Sequence, residues 1–301
     1  MELHPWFGAG PEPPTREALL TELRQARFAG GVSCPHCGCR RIHRWGRFAD
    51  RQRYRCVDGC GRTFSDLTGT PAAYIKKLLD WPVYSECLAS AVSVRAAAAR
   101  LHVHPSTAFR WRHRLLAWLK AHDREQLEGW IEVGLIRFAE SRKGRRVVGR
   151  PPRRRALAAW EWYASPRAMV VVGCDRRGHV IAELLPSVQM RPMTSEAVAA
   201  FEGRLDVSSH PPRLVAGQGP LSLWYSLATQ MGIALHDSRS SSLLHGTDHQ
   251  RTYCRRLRQW IARFSGVSTR YLPHYLIWHH RVDSPRRHGM VAALLRWPVS
   301  R

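Results

Sequence analysis

Four cysteines near the N-terminus form two pairs, and this arrangement limits the fold more than any other feature of the chain. Cys34 and Cys37 make a C-x2-C pair, Cys56 and Cys60 make a C-x3-C pair, and 18 residues lie between the pairs. Each pair offers two thiolates from one tight turn, so the two pairs together complete a tetrahedral zinc site. Residues 31–70 are therefore predicted to form a zinc ribbon, in which a structural metal replaces a hydrophobic core.

The other four of the eight cysteines have different predicted roles. Cys39 lies two residues after Cys37, so it is an alternative second ligand. The isolated Cys87, Cys174 and Cys254 are predicted to be small buried apolar residues. Because four protein ligands leave no open coordination position, we expect a structural and not a catalytic zinc ion.

The charge of the chain predicts a polyanionic partner. Its 301 residues include 47 Lys and Arg against 23 Asp and Glu, a formal net charge of +24. An excess of this size favours double-stranded DNA as partner, bound with an affinity that falls as salt rises. The 44% hydrophobic content supports a packed core. Since no stretch of about 18 apolar residues occurs, no membrane partner is expected, and the predicted location is cytoplasmic and nucleoid-associated.

Changes in pattern along the sequence predict a multidomain α/β protein. Apolar strands are expected at 130–136, 168–174, 179–185 and 213–216, with helices at about 194–203, 220–231 and 249–264. Strands interleaved with helices indicate a layered α/β domain. The predicted segments are a leader helix in 1–30, the ribbon in 31–70, a helical DNA-binding module in 71–125, the α/β domain in 129–285 with a basic insertion at 142–155, and a tail at 286–301.

Residues 93–116 predict a helix, a short turn and a second helix. Ser93 is a suitable cap for the first helix, and Ser106 or Thr107, just after Pro105, for the second. The second helix is rich in polar and basic residues, which fits a recognition helix in the DNA major groove. The predicted DNA contacts in the ribbon, this helix and the later basic segments are Arg44, Arg47, Arg51, Arg53, Ser106, Thr107, Arg110, Arg112, Arg114, Arg145, Arg146, Arg153, Arg154, Arg251 and Arg258.

Three stretches carry a family resemblance: RYRCVDGCGRTFSDLTGTP at 53–71, ESRKGRR at 140–146, and YCRRLRQWIARFSGVSTRYLPHYLIWHHR at 253–281. In this order the chain resembles bacterial insertion-sequence transposases, which carry an N-terminal zinc ribbon ahead of an RNase-H-like catalytic domain. The resemblance implies a mixed sheet flanked by helices. It also implies DNA cutting and joining by two Mg²⁺ ions held by acidic residues at the sheet centre.

The acidic residues implied by the resemblance are absent from the matching positions. The first Asp falls at Gly134, the second at Gln218, and the third position, an Asn or acid, at Arg251. A cage of Gly, Gln and Arg offers Mg²⁺ no anionic ligand, and a following basic position falls at Arg258. Bound Mg²⁺ is therefore not expected. Other carboxylates that a relocated site would need are Glu132, Glu140, Asp175, Asp237 and Asp248.

These observations predict a transposase-family DNA-binding protein without DNA-cleavage activity, acting as a regulator or as a subunit of a nucleoprotein complex. An alternative is an active insertion-sequence transposase whose Mg²⁺-binding carboxylates have relocated. A third possibility is a platform for dimers or partner proteins on DNA, either as a homodimer or within a larger assembly. His245 and His249 are interpreted as phosphate contacts or surface groups.

Overall fold

The computed structural model describes residues 20–21, 24–25, 27–28, 30–48, 51–73, 75, 77–141, 167–185, 193–206, 211–237, 246–264 and 266–283. These residues form two compact units, one containing residues up to 118 together with 281–283, and one containing residues 119–280. The predicted insertion at 142–155, the tail and most of the leader helix lie outside the described residues. Among the described helices, none is long and apolar enough to cross a membrane.

The ribbon is an antiparallel sheet of three strands in the order β1-β2-β3. The strands are β1 (Ile42–Phe48), β2 (Arg51–Cys56) and β3 (Thr63–Ser65). Alternation along β2 buries Tyr54 and Cys56 on one face, where they pack against Phe64 and Cys34. This small core is consistent with a module that a metal ion stabilises.

Three helices follow the ribbon: α1 (Asp80–Ala89), α2 (Val94–Arg100) and α3 (Pro105–Ala121). The first two belong to the same unit as the ribbon, and so does α3 up to Trp118. The predicted cap of α2 is confirmed, since the Ser93 side chain accepts a hydrogen bond from the Ala96 N–H. The predicted cap of α3 is wrong, because α3 begins at Pro105 and its Ser106 N–H bonds the ring of His104 instead. Proline needs no backbone donor at this first position, so it starts the helix there.

The second unit contains a five-stranded mixed sheet in the order β6-β5-β4-β7-β8. Its strands are β4 (Trp130–Ala139), β5 (Arg167–Asp175), β6 (Val180–Leu184), β7 (Arg213–Ala216) and β8 (Ala234–Asp237). Strands β4, β5 and β6 pair antiparallel, whereas β4, β7 and β8 pair parallel. The four predicted strands are present within a few residues, while β8 was not predicted.

Helices cover both faces of this sheet. On one face lie α4 (Met193–Phe201) and α5 (Leu221–Met231), packed on the odd-numbered residues of β4. On the other face lie α6 (Asp248–Ala262) and α7 (Leu272–Asp283), packed on Ile136 and the centre of β5. Because both faces are covered, β4 is buried from Ile131 to Ile136, including its single carboxylate and its glycine. The mixed sheet flanked by helices agrees with the predicted fold class.

Candidate metal centre and nucleic-acid interface

The four predicted zinc ligands converge on one point of the ribbon. The Sγ atoms of Cys34, Cys37, Cys56 and Cys60 all lie within 4.8 Å of one another. The Cys34–Cys60 and Cys37–Cys56 sulfur pairs are each 3.6 Å apart. A tetrahedral zinc ion with Zn–S bonds of about 2.3 Å places its sulfurs about 3.8 Å apart, so this donor set fits structural zinc.

Two of the four cysteine thiols have pKa values shifted in opposite directions by their surroundings. Backbone N–H groups of Cys39 and Cys60 donate to Cys37 and lower the pKa of its thiol to about 6. Burial raises the pKa of the Cys34 thiol to about 12. A bound zinc ion would hold all four as thiolates.

Cys39 is outside the cluster, with its sulfur 3.9 Å from the Arg41 carbonyl oxygen, so the alternative ligand set is wrong.

Gly59 allows the second cysteine turn to close around the metal site. A Cβ atom at this position would lie 2.6 Å from the Cys37 sulfur and 2.9 Å from the Cys56 sulfur. Both distances are shorter than a carbon–sulfur contact permits. The C-x3-C turn therefore requires glycine at its third intervening position.

The predicted DNA-contact arginines of the ribbon lie at or near its surface. Arg44 and Arg47 of β1 are exposed, while Arg51 and Arg53 of β2 are half-buried. Arg53 also donates a hydrogen bond to the Thr63 hydroxyl at 3.2 Å.

The residues predicted to contact DNA from α3 are exposed or half-buried, with one exception that is buried. Ser106 and Arg110 are exposed, and Thr107 and Arg114 are half-buried. Arg112, by contrast, is 1% exposed, and its guanidinium donates to the Val92 carbonyl at 2.6 Å. Ala108, Leu115, Leu116 and Leu119 are also buried, and helical spacing places position 112 within this apolar stripe. Arg112 is thus part of the interior and is not available at the surface of α3, so its prediction as a surface contact is wrong.

At the centre of the second sheet, a glutamine side chain lies where the family resemblance implies acidic ligands. A Cβ atom built on Gly134 would overlap the side-chain amide of Gln250, and one on Gly217 would lie 3.0 Å from its Oε1 atom. Gln250 is completely buried and donates to the Cys254 sulfur at 2.8 Å. Gln218, the matched second position, has an exposed side chain, and its carbonyl accepts from Leu135 N–H. The Gln250 amide therefore lies between Gly134 and Gly217, and Gly217, not Gln218, is the residue after β7 that contacts it.

Glu132 is the carboxylate of the same strand face, two residues before Gly134. It is 3% exposed. One oxygen accepts from the Gln250 N–H at 2.9 Å, and the other lies 2.9 Å from His249 Nδ1. A carboxylate bound to the first turn of a helix is stabilised by the helix dipole and by otherwise unpaired N–H groups. Glu132 therefore anchors the start of α6 to the sheet.

The outer face of α6 is basic. Arg251, Arg255 and Arg258 are exposed and follow helical spacing along one side of the helix. None of the three makes an ion pair with a residue that the structure describes. The buried side of the same helix carries Gln250, Tyr253, Cys254, Leu257 and Trp260.

The remaining carboxylates considered for a relocated site do not gather around Gly134. Asp248 is exposed at the first residue of α6, and Glu140 and Asp237 are half-buried at the ends of β4 and β8. Asp175 is the last residue of β5, and one of its oxygens accepts from the N–H groups of Arg177 and His179 in the turn that follows.

Asp175 belongs to a second group of metal-ligating residue types within the described part of the chain, together with Glu128 and His179. Its other oxygen accepts from the Glu128 N–H and lies 2.7 Å from His179 Nδ1. A carboxylate has about four acceptor positions, and all four are used here. This group therefore stabilises a turn and leaves no free lone pair on Asp175 for a metal ion.

Some predicted residues lie outside the described residues, namely Arg145, Arg146, Arg153, Arg154 and His245. His249 is exposed.

The sequence analysis did not identify Gln250 and Gly217 as residues at the centre of the sheet. The apolar spacing of Tyr253, Cys254 and Leu257 was the available signal, since it places position 250 on the buried side of α6.

The family model described as the transposase zinc-ribbon domain matches residues 14–63. This range contains all four cysteines of the metal centre. It covers the first part of the chain and ends in β3.

Two further comparisons concern longer stretches. Over 159 residues the chain is 35% identical to an uncharacterized protein in transposable element ISH50 of Halobacterium salinarum (strain ATCC 700922 / JCM 11081 / NRC-1). The match takes in 51% of this chain and 53% of the relative, so the chain spans about half the length of that protein.

Among solved structures, a pre-cleavage Mos1 transpososome is matched at 13% identity and a TM-score of 0.24, over 72% of this chain and 79% of that one. The Mos1 strand transfer complex is matched at 12% identity and a TM-score of 0.23, over 72% and 78%. Together, the ribbon match and the ISH50 relative connect this chain to proteins of transposable elements.

Proposed function

We propose that this chain is a transposase-related protein that binds double-stranded DNA and does not cut it. The ribbon and the α1–α3 helices supply the binding, and the second unit is an RNase-H-like domain without nuclease chemistry. The observation that carries the proposal is the buried amide of Gln250, which lies against Gly134 and Gly217 at the centre of the sheet.

Two-metal cleavage needs several carboxylates around one point, because each Mg²⁺ ion is bound by hard anionic oxygens. Here two glycines and a neutral amide take that place, and the nearby Glu132 uses both oxygens on α6. The exposed arginines of α6 add positive charge outside this point, which disfavours a cation and suits a phosphate.

Duplex binding is supported by the transposase zinc-ribbon match, by the net charge of +24 and by the polar and basic residues at the surface of α3. The N-terminal half of α3 presents Ser106, Thr107 and Arg110 at its surface. Polar and arginine side chains at the start of a helix are those that contact base edges when a recognition helix enters the major groove. The α2–α3 pair is therefore assigned as the helix-turn-helix of this protein.

A strand-cleavage assay tests the absence of chemistry. Zinc-loaded protein is incubated with DNA that flanks its own gene, with Mg²⁺ or Mn²⁺, and the same samples are run as retained complexes. We expect a retained protein–DNA complex without nicking. Site-specific nicking would overturn the proposal.

A second candidate function is favoured by Glu132, whose carboxylate is on the same strand face as Gly134. In this alternative the protein is an active transposase with relocated ligands. It predicts Mn²⁺-dependent nicking that is lost in Glu132→Gln and Asp237→Asn. A wild-type protein that binds DNA and does not nick it contradicts this alternative.

The exposed arginines of α6 fit a further part of the proposal, in which the second unit contacts DNA phosphates within a homodimer or a larger nucleoprotein complex on the nucleoid. Light scattering with and without duplex DNA tests the homodimer. A monomer mass in both conditions contradicts it.

A further inference from the structure

The ribbon sheet has a second face that the metal centre does not use. Tyr54 and Cys56 of β2 point into the core, with exposures of 6% and 1%. Because side chains alternate along a strand, Arg51, Arg53 and Arg55 all lie on the opposite, outer face. Across the sheet, Arg55 is paired with His43 and with Thr63, and Arg53 is paired with Ser65. No Asp or Glu occurs in the three strands.

Two aromatic side chains also lie on this outer face. Phe48 is paired with Arg51, and its side chain is 70% exposed. Trp45 is 47% exposed, and the Arg55 guanidinium lies 4.7 Å from its ring centroid. Exposed rings of this size are among the few large apolar groups at the described surface of this protein.

A bulge in β1 brings these two rings to the same face. Trp45 and Phe48 are three residues apart, so strict alternation would put them on opposite faces. Between the pairs Arg44–Tyr54 and Arg47–Gln52, however, β1 has two residues where β2 has one. Gly46 adopts the left-handed φ of +73° that such a bulge requires, and its carbonyl accepts from the Gln52 amide at 2.8 Å.

Arginines interleaved with exposed rings match one chemical class of ligand better than any other. Arginine binds phosphate, and an aromatic ring on a flat sheet stacks on a base whose face is free. In a duplex the faces of the bases are covered by their neighbours, so such rings find partners on unpaired nucleotides.

We propose that the outer face of the ribbon sheet binds single-stranded DNA, with Trp45 and Phe48 stacked on bases and Arg53 and Arg55 on phosphates. The Arg51 guanidinium donates to the Ile75 carbonyl at 3.4 Å and is not counted among the phosphate ligands. This inference rests on the proposed function as a DNA-binding protein and adds a second form of DNA to it. The ribbon and the α1–α3 helices bind the duplex as proposed above, and the two exposed rings on the outer face of the ribbon sheet add a separate site for unpaired nucleotides.

The test uses the full-length zinc-loaded protein and two fluorescent probes, a 15-nucleotide oligo-dT and a duplex from the flanks of its own gene. Trp45→Ala is expected to weaken oligo-dT binding by about 5- to 150-fold, the range for loss of one stacking contact, and to leave duplex affinity unchanged. Trp45→Phe is expected to retain most of the affinity. Val57→Ala, which removes an apolar side chain 52% exposed in the cysteine turn, is the matched control and should bind as the wild type does.

The salt dependence provides a second readout that a folding defect would not mimic. Each phosphate contact to a single strand contributes about 0.7 to the slope of log affinity against log salt. Arg53→Ala is therefore expected to reduce the slope for oligo-dT by about 0.7 and to retain the zinc content of the wild type.

Three results would overturn the inference: no oligo-dT binding by the wild type, wild-type oligo-dT affinity in both Trp45→Ala and Phe48→Ala, or equal losses on both probes. An oligo-glutamate peptide that displaces oligo-dT at equal charge would also contradict it, in favour of an acidic protein partner. If the wild type fails to bind the duplex, the proposed function fails instead, and the oligo-dT results still decide this inference.

Discussion

The side-chain amide of Gln250 lies against the α-carbon of Gly134, in the space that any larger residue at position 134 would need. Gln250 is held there by the Cys254 sulfur and by a backbone N–H that donates to Glu132. The glycine and the glutamine therefore form one packing unit, in which each residue limits what the other can be.

This pair gives a steric prediction. Gly134→Ala is expected to lower the free energy of unfolding by about 1–3 kcal/mol, because an added methyl group overpacks the space that Gln250 fills. In the Gln250→Ala background the same change should cost less, with a coupling of at least about 1 kcal/mol in a double-mutant cycle. Urea denaturation of the four proteins measures this. Gly30→Ala, where a Cβ meets nothing within 4 Å, is the control. Additive effects would show that the two residues do not interact.

Two arginines two positions apart on α3 should behave in opposite ways. Arg110→Ala is expected to abolish specific duplex binding and to leave the melting temperature unchanged, because this side chain is exposed. Arg112→Ala removes a buried guanidinium that donates to the Val92 carbonyl, so it should destabilise the protein by about 1–3 kcal/mol. Gel retardation and thermal melting of both variants distinguish the roles. A stable Arg112→Ala protein with lost DNA binding would reverse the assignment.

Gly59→Ala is expected to weaken zinc binding. The added methyl group would lie within 3 Å of two ligand sulfurs, so the second cysteine turn must move away from the metal. Competition with a chromophoric chelator measures the affinity, and a loss of at least about tenfold corresponds to about 1.4 kcal/mol. Gly30→Ala is again the control, and equal zinc affinities for Gly59→Ala and the wild type would contradict the steric argument.

Two carboxylates lie near the first turn of α6, Glu132 on β4 and Asp248 on the helix itself, and their removal should affect stability differently. Glu132→Gln removes a buried charge that accepts from the helix N-terminus, and it should cost about 1–3 kcal/mol. Asp248→Asn changes an exposed residue in the same turn, and it should cost only about 0.3–1 kcal/mol. Denaturant titration at neutral pH compares them. Equal losses would mean that Glu132 does not anchor the helix.

Below neutral pH, the free energy of unfolding should depend on the protonation of His274. Burial, followed by the charge of Lys120, lowers the pKa of His274 below its ordinary value of 6.5. The unfolded chain therefore takes up a proton at this residue before the folded chain does, and stability falls as pH decreases through 6.5 towards the folded pKa. His274→Gln should reduce this slope between pH 7 and 5. Urea denaturation across that range tests it, and an unchanged slope would rule out this contribution.

The sequence predicted the elements whose signals are local. The cysteine pairs located the metal site, and apolar runs located β4 to β7 because each of those strands contains at least three consecutive or nearly consecutive apolar residues. Strand β8 was missed, since Ala234–Asp237 is four residues long and half-exposed, with no apolar run. Helix α7 was not predicted. Most of its residues lie in the stretch 253–281, which was interpreted only as a family resemblance and not as a helix.

Other errors came from contacts between residues that are distant in sequence. Arg112 was predicted at the surface from its charge, although Ala108, Leu115 and Leu119 already placed it on the buried side of α3. The role of Gln250 depends on two glycines, 116 and 33 positions away, that leave room for its amide. No local pattern contains that information, and only the pairing of β4 with β7 brings the two glycines together.

The hydrogen bond from Arg112 to Val92 has a consequence for how the target sequence of such a protein changes over time. Val92 immediately precedes the residue that caps α2, so one interior guanidinium ties α3 to the turn where α2 begins. This contact helps to hold α3 against the start of α2 from inside the protein, away from the exposed side of the helix. Under the proposed function, exposed residues of α3 such as Arg110 could then be exchanged, and the target sequence changed, without loss of the contact that holds the helix.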